Sequence, residues 1–250
     1  MRRSPRASEG RLTGVGVGPG DPELITARAL RVLREADRVV APAVAPDVEG
    51  RAERVVRQAA PERAVSRVVF AMAAATAGTP DAGGRAASHR AAVRAILPFL
   101  DAGEHVAFVT LGDPNVFSTF SSLVEAVSVL RPGLPVDTVP GIMAFQDLAA
   151  RAGTVLLDGT QELTLVTALD GTEALERALE QPQRAVIVYK GGRHLPAIAA
   201  ALSAAGRLDD AVMGELLGLP GEVVLPLSQV SECPAGYLAT VVVPPRGRGR

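Results

Sequence analysis

Ten short apolar runs, most of them separated by helix-like segments, constrain the fold of this chain more than any other feature. They span 12–17, 38–41, 67–70, 106–110, 136–139, 163–169, 185–189, 211–213, 222–225 and 238–243. Several hold apolar residues at consecutive positions, the pattern of strands covered on both faces. Strands alternating with helices predict layered α/β architecture with a mostly parallel sheet in the N-terminal part. Several short strands follow the last helical pattern, so a mixed sheet with helices is expected in the C-terminal part.

The clearest helix starts near Asp21, a fitting N-cap, with Pro22 in its first position. Ile25, Ala29, Val32, Leu33 and Ala36 give it one apolar face. Further helices are predicted at about 85–100 (Val93, Ile96, Leu97 and Leu100 inward, a kink at Pro98), 118–130, 143–151, 172–179 and 195–205. Arg131-Pro132-Gly133-Leu134-Pro135 reads as a hinge. It divides the chain into an N-terminal α/β domain (11–133) and a C-terminal α/β domain (134–244), with flexible tails at 1–10 and 245–250. Residues 76–90, rich in Ala, Gly and small polar side chains, read as a mobile loop that would act as a lid if it borders the site.

Composition narrows the function. At 250 residues, 48% hydrophobic and 21% charged, the chain is too apolar for disorder and suits one large or two modest domains. A formal net charge of −1 offers no global footprint for nucleic acid. No run of 18 apolar residues appears, and the basic start lacks an apolar stretch behind it, so neither a membrane span nor a signal peptide is expected. Cys233 is the sole cysteine, which removes disulfides and Cys-based metal sites and suits a reducing cytoplasm. Lys190 is the only lysine among many arginines.

The motifs lie where apolar runs give way to helices. Leu12-Thr-Gly14-Val-Gly16-Val-Gly18-Pro19-Gly20-Asp21-Pro22 invites a dinucleotide-binding reading, but the spacing fails. Counted from Gly14 the last glycine slot holds Pro19, and counted from Gly16 it holds Asp21. A carboxylate at that helix start would also repel a pyrophosphate. The turn suits close approach of a neutral or cationic ligand. Leu111-Gly112-Asp113-Pro114, Pro140-Gly141-Ile142 and Val188-Tyr189-Lys190-Gly191 are further glycine-bearing turns after strands, where open α/β sheets place their ligands.

In order and spacing these four motifs resemble the tetrapyrrole (uroporphyrinogen and corrin) methylases, from about residue 11 to 243. Gly192-Arg-His-Leu-Pro196 and Gly206-Arg-Leu-Asp-Asp-Ala211 are most similar to the subgroup that methylates C20 of a corrin precursor. The resemblance implies a two-domain homodimeric enzyme that binds S-adenosylmethionine between its domains and acts on a small tetrapyrrole. Carried over position by position, the cofactor contacts are Pro19, Leu111, Gly112, Asp113, Val116, Met143, Ala144 and Lys190, with a backbone contact at Leu217 or Gly218. Met143 replaces the Thr or Ser common there. Glu215-Leu216-Leu217-Gly218 shifts the usual glycine by one. A different ring position, or a catalytically silent binding protein, stays open at this point.

Methyl transfer from a sulfonium needs an in-line carbon nucleophile at about 3–3.5 Å and no metal. The base for the departing proton is not named by the sequence. The carboxylates of a tetrapyrrole call for cationic partners, and Arg193, Arg151, Arg85 and Arg90 are candidates. His194, four residues after Lys190, is the histidine placed nearest the cleft and a further candidate for touching substrate; His89 and His105 read as ordinary polar residues.

Overall fold

The structure, a computed structural model, describes residues 10–70, 82–230, 232 and 234–246, with the side chains of 82–89 outside that description. The chain divides into two compact units, Met1–Met143 and Ala144–Arg250.

In the first unit, β1 (Arg11–Gly16), β2 (Arg38–Ala43), β3 (Val65–Val69), β4 (His105–Thr110) and β5 (Val136–Val139) form one sheet. Its order is β3-β2-β4-β1-β5 and every neighbouring pair is parallel. The helices α1 (Ala27–Glu35), α2 (Arg51–Ala59), α3 (Ala82–Asp101) and α4 (Thr119–Leu130) connect successive strands. Consecutive apolar residues on β4 serve two cores at once. Val106 and Phe108 join Ile96, Leu100 and Leu123 on one face. Ala107 and Val109 join Leu33, Val55 and Val56 on the other. Each fully buried Val, Leu or Ile contributes roughly 1.5–3 kcal/mol, so a strand buried on both faces is anchored twice.

The first helix differs from expectation. Asp21 caps only a short 3-10 turn at Pro22–Leu24, its Oδ1 accepting from the Glu23 N–H at 2.9 Å. Ile25 is extended (φ −73°, ψ 137°), which ends the turn, and Thr26 caps α1 by accepting from the Ala29 N–H at 3.1 Å. Helix α2 is absent from the sequence reading because its charged residues obscure a short apolar face. Glu53 has no solvent exposure and binds Arg57 and Arg67, each at 2.6 Å.

The Arg131–Pro135 turn lies inside the first unit, between α4 and β5. Pairing of β5 with β1 draws the chain as far as Met143 into that unit, so the division falls beyond the expected hinge. Residues 76–81 of the expected lid lie outside the described residues, and from Ala82 the chain is helical. Of the expected tails, only Gly10, Pro245 and Arg246 lie among the described residues, and they belong to the fold: Gly10 and Pro245 are buried, and the Arg246 N–H donates to the Pro182 carbonyl at 2.8 Å.

In the second unit, β6 (Glu162–Thr167), β7 (Arg184–Tyr189), β8 (Val212–Glu215), β9 (Val223–Pro226) and β10 (Thr240–Val243) form a mixed sheet in the order β6-β7-β10-β8-β9. Only β6 and β7 run parallel. Helices α6 (Glu173–Leu179) and α7 (Leu195–Ala204) pack Leu175, Ile198 and Leu202 on one face against Val186, Val188 and Val241. On the other face Leu148 of α5 (Ala144–Arg151) meets Ile187, Leu217 and Val242. No helix among the described residues is long and apolar enough to cross a membrane.

Candidate functional site

Parallel pairing sets the carboxyl ends of β1, β4 and β5 along one edge of the first sheet, with Gly16 opposite Thr110 and Val15 opposite Val139. The three turns that leave this edge touch through their backbones. The Gly112 N–H donates to the Gly18 carbonyl at 2.8 Å, and the Val17 N–H to the Thr110 carbonyl at 3.0 Å. A Cβ on Gly16 or on Gly141 would overlap the Gly112 carbonyl oxygen, so both positions exclude any side chain. Gly112 needs glycine for a different reason. Its φ is +66°, yet a Cβ there would meet nothing nearer than the Met143 Cα at 3.9 Å, which leaves room beside Met143.

Asp113 ties two of these turns together. Its Oδ1 accepts from the Asn115 N–H at 2.8 Å and its Oδ2 from the Gly141 N–H at 3.1 Å. Pro19 is buried and Leu111, Val116 and Met143 are half-buried around the turns. Phe117 follows in the left-handed region (φ +51°) with its side chain 46% exposed, a conformation that costs a bulky residue on the order of 1–3 kcal/mol.

The second unit has a comparable edge. Thr167, Tyr189, Thr240 and Gly214 line up across β6, β7, β10 and β8. Here the turns are held by side chains. The half-buried Tyr189 hydroxyl accepts from the Phe145 N–H at 3.0 Å, and desolvation raises the phenol well above its ordinary pKa. Lys190 is left-handed (φ +57°), with its Nζ 5.9 Å from the Tyr237 ring centroid; burial lowers its amine below the usual value. Leu216 is left-handed too (φ +53°) and Gly218 follows at φ +68°. Glu215 Oε1 accepts from the Gly236 N–H at 2.8 Å, and Glu222 Oε2 accepts from the Gly218 N–H at 2.6 Å.

The structure thus brings Pro19, Leu111, Gly112, Asp113, Val116 and Met143 to one edge. It sets Lys190, Leu217 and Gly218 on the turns of the other, with Ala144 opening α5. The candidate cations scatter. Arg151 is engaged by Asp147 at 2.9 Å and Glu222 at 2.7 Å. Arg193 donates to the Leu169 carbonyl at 2.6 Å and to His194 Nε2 at 3.2 Å. Arg90 is exposed on α3, while the side chains of Arg85 and His89, and Cys233 entirely, lie outside the described residues. His105 sits at the start of β4, away from the motif-bearing end of that strand, between Arg11 and Thr13 at 2.9 Å each. Sequence reasoning missed Phe117, Leu216, Tyr189 and Glu222. A positive φ at Phe or Leu leaves no mark in composition, and the reach of Tyr189 to residue 145 depends on tertiary packing.

A strand-end edge built from glycine turns, with no lysine or arginine in them, offers backbone contacts without a cationic side chain. The chain belongs to the tetrapyrrole (corrin/porphyrin) methylases, whose family model matches residues 11–231. It is 32% identical to a precorrin-2 C(20)-methyltransferase of Sinorhizobium sp., over 94% of this chain and 95% of that one. It is 33% identical to a cobalt-precorrin-2 C(20)-methyltransferase of Salmonella typhimurium, over 94% and 96%. It is 34% identical to the cobalamin biosynthesis protein CobIJ of Mycobacterium tuberculosis, covering 95% of this chain but 46% of that longer protein. Among solved structures, the uroporphyrin-III C-methyl transferase of Thermus thermophilus complexed with S-adenyl homocysteine is similar. Its TM-score is 0.64 at 26% identity, covering 94% of this chain and 92% of that one.

Proposed function

We propose that this chain is an S-adenosylmethionine-dependent C-methyltransferase acting at C20 of precorrin-2, or of its cobalt-loaded counterpart, in cobalamin biosynthesis. The observation that carries the reading is the backbone-packed edge of the first sheet, open above Gly112 beside Met143, in a chain similar to two C(20)-methyltransferases along nearly their full lengths. The residues fit the donor. Asp113 brings a carboxylate to an edge whose turns hold no basic side chain, which suits a sulfonium and disfavours a phosphate.

The donor supplies a methyl group on a cationic sulfur. A bond forms between C20 and the methyl carbon as the sulfur–carbon bond breaks, and the C20 proton leaves afterwards. Pro19, Leu111, Gly112, Asp113, Val116, Met143, Ala144 and Lys190 position the donor in this reading. Between Leu217 and Gly218, a backbone donor falls to Leu217, because the Gly218 N–H is given to Glu222. Arg193, Arg90, Arg85 and His194 stay the candidate partners for the tetrapyrrole carboxylates in this reading. Among the described residues no group of three His, Cys, Asp or Glu is placed to hold a metal ion, and we assign none. We also assign the cytoplasm and a homodimer, the latter checked by sedimentation equilibrium.

The test is an anaerobic assay with S-adenosylmethionine and precorrin-2, with and without cobalt, following S-adenosylhomocysteine and substrate mass. One added methyl that maps to C20 is expected. A methyl at another ring position would keep the class and change the substrate; cofactor binding with no mass gain on either substrate would overturn the enzyme reading.

A further inference from the structure

Helix α5 begins at the end of the Pro140–Met143 motif and carries two side chains that face away from simple surface roles. Asp147 is 8% exposed, its Oδ1 accepting from Arg151 Nε at 2.9 Å, while its Oδ2 is buried without a hydrogen-bond partner. Arg151 extends onward, its Nη1 donating to Glu222 Oε1 at 2.7 Å. Glu222 closes the chain with its other oxygen, accepting from the Gly218 N–H at 2.6 Å. Four residues from one helix and one loop are therefore joined in a continuous charge-assisted relay.

The relay ends on a turn that needs support. Leu216 and Gly218 are left-handed, the Leu219 N–H returns to the Leu216 carbonyl at 2.8 Å, and Leu217 is buried against Leu148 of the same helix. A leucine at positive φ persists only where its surroundings over-determine it. Leu148 supplies an apolar hold on this turn and Arg151 a polar one, one helical turn apart on α5.

We propose that Asp147, Arg151 and Glu222 are positioning residues that fix the Leu216–Gly218 turn and so set the affinity for S-adenosylmethionine, rather than Arg151 serving as a partner for substrate carboxylates. This rests on the reading of Leu217 as a cofactor contact given above. Charge-assisted bonds with two ionised partners are the strong ones, and the middle of the relay has both. Glu222 matters most, because it alone touches both the helix and the turn.

The experiment measures S-adenosylhomocysteine binding by calorimetry for the wild-type chain and for Glu222→Gln, Arg151→Ala, Arg151→Lys and the double variant Glu222→Gln with Arg151→Ala. Far-ultraviolet circular dichroism checks that each is folded. Wild-type binding at micromolar strength is a test of the functional reading itself, and its failure would sink that reading first. Given wild-type binding, Glu222→Gln and Arg151→Ala should each weaken it about tenfold, Arg151→Lys less, and the double variant no more than the worse single one, since all remove the same relay. Glu222→Gln keeps shape at a part-exposed position, so it remains informative if Arg151→Ala does not fold. In steady state the KM for S-adenosylmethionine should rise while kcat changes less than about twofold. Unchanged cofactor affinity with a raised KM for the tetrapyrrole would overturn the proposal and return Arg151 to the substrate. Unchanged affinity in a folded but less stable protein would reduce the relay to a structural tie.

Discussion

The two sheets solve one problem by different means. Each must hold a row of turns at one strand-end edge. In the first unit the turns lock through main-chain atoms, a Cβ on Gly16 or Gly141 being forbidden by the Gly112 carbonyl. In the second, the turns at Lys190 and Leu216 are held in left-handed conformations with Tyr189, Glu215 and Glu222 bonding neighbouring backbone amides. Backbone packing leaves no adjustable part. Side-chain ties can be tuned one bond at a time, and each is a place where affinity can be altered without rebuilding the sheet.

The harshest way to break this contrast is Gly141→Ala. Its Cβ would strike the Gly112 carbonyl, and we expect about 3 kcal/mol of lost stability together with loss of S-adenosylhomocysteine binding. Gly133→Ala is the comparison: a Cβ there meets open space, so only its φ of +86° is penalised, about 1 kcal/mol. Chemical denaturation reads both, and equal losses would show that packing is not what makes Gly141 a glycine.

Glu53→Gln comes next, by about 2 kcal/mol, because two arginines lose their shared buried anion. Burial alone pushes this carboxyl up, but hydrogen bonds from Arg67, Arg57 and the Gly50 amide outweigh it and hold the pKa below the ordinary carboxylate range. A depressed folded pKa means stability that is complete above the ordinary carboxylate pKa and drains away as pH falls through the folded value. Denaturation midpoints measured down a pH series should therefore fall less steeply in Glu53→Gln than in the wild type. Parallel curves would remove Glu53 from the account.

Much of the architecture was legible from residue order. All ten strands sit within a few residues of the apolar runs that announced them, because burial on both faces demands contiguous apolar residues. The glycine turns were equally visible, since glycine itself is the signal of close backbone approach. Helix α2 was hidden: Glu53 looks like part of a solvated charged face, yet the fold buries its carboxylate beneath Arg57 and Arg67. The ties of the second edge were hidden for a related reason. Tyr189 and Phe145 stand 44 residues apart, and Arg151 and Glu222 71 apart. Arg151 read as a free cation for substrate only because its two acidic partners are distant in sequence or ordinary in context.

Smaller effects sharpen the comparison. Leu216→Gly should relieve a left-handed leucine and raise stability by up to about 1 kcal/mol while weakening S-adenosylhomocysteine binding, opposite signs that backbone strain alone would not produce. A parallel rise in both would mean that the strain serves no purpose at this turn. The least effect lies at the far end of β4. Burial and then Arg11 lower the His105 pKa below the ordinary histidine value, so stability holds above that value and declines as pH drops through it. His105→Gln should lose this dependence, by less than about 1 kcal/mol, in denaturation series between pH 7 and 5.

The carbonyl of Gly112, wedged between Gly16 and Gly141, has a consequence for how such a chain can change over time. Random substitution at Gly16 or Gly141 has only one direction, toward collision, so that edge presents no gradient for selection to climb. New substrate preferences must then originate in the segments around it, where intermediate side chains survive. A saturation library scored for function should record Gly16 and Gly141 as nearly empty columns, with graded ones from Leu216 to Glu222.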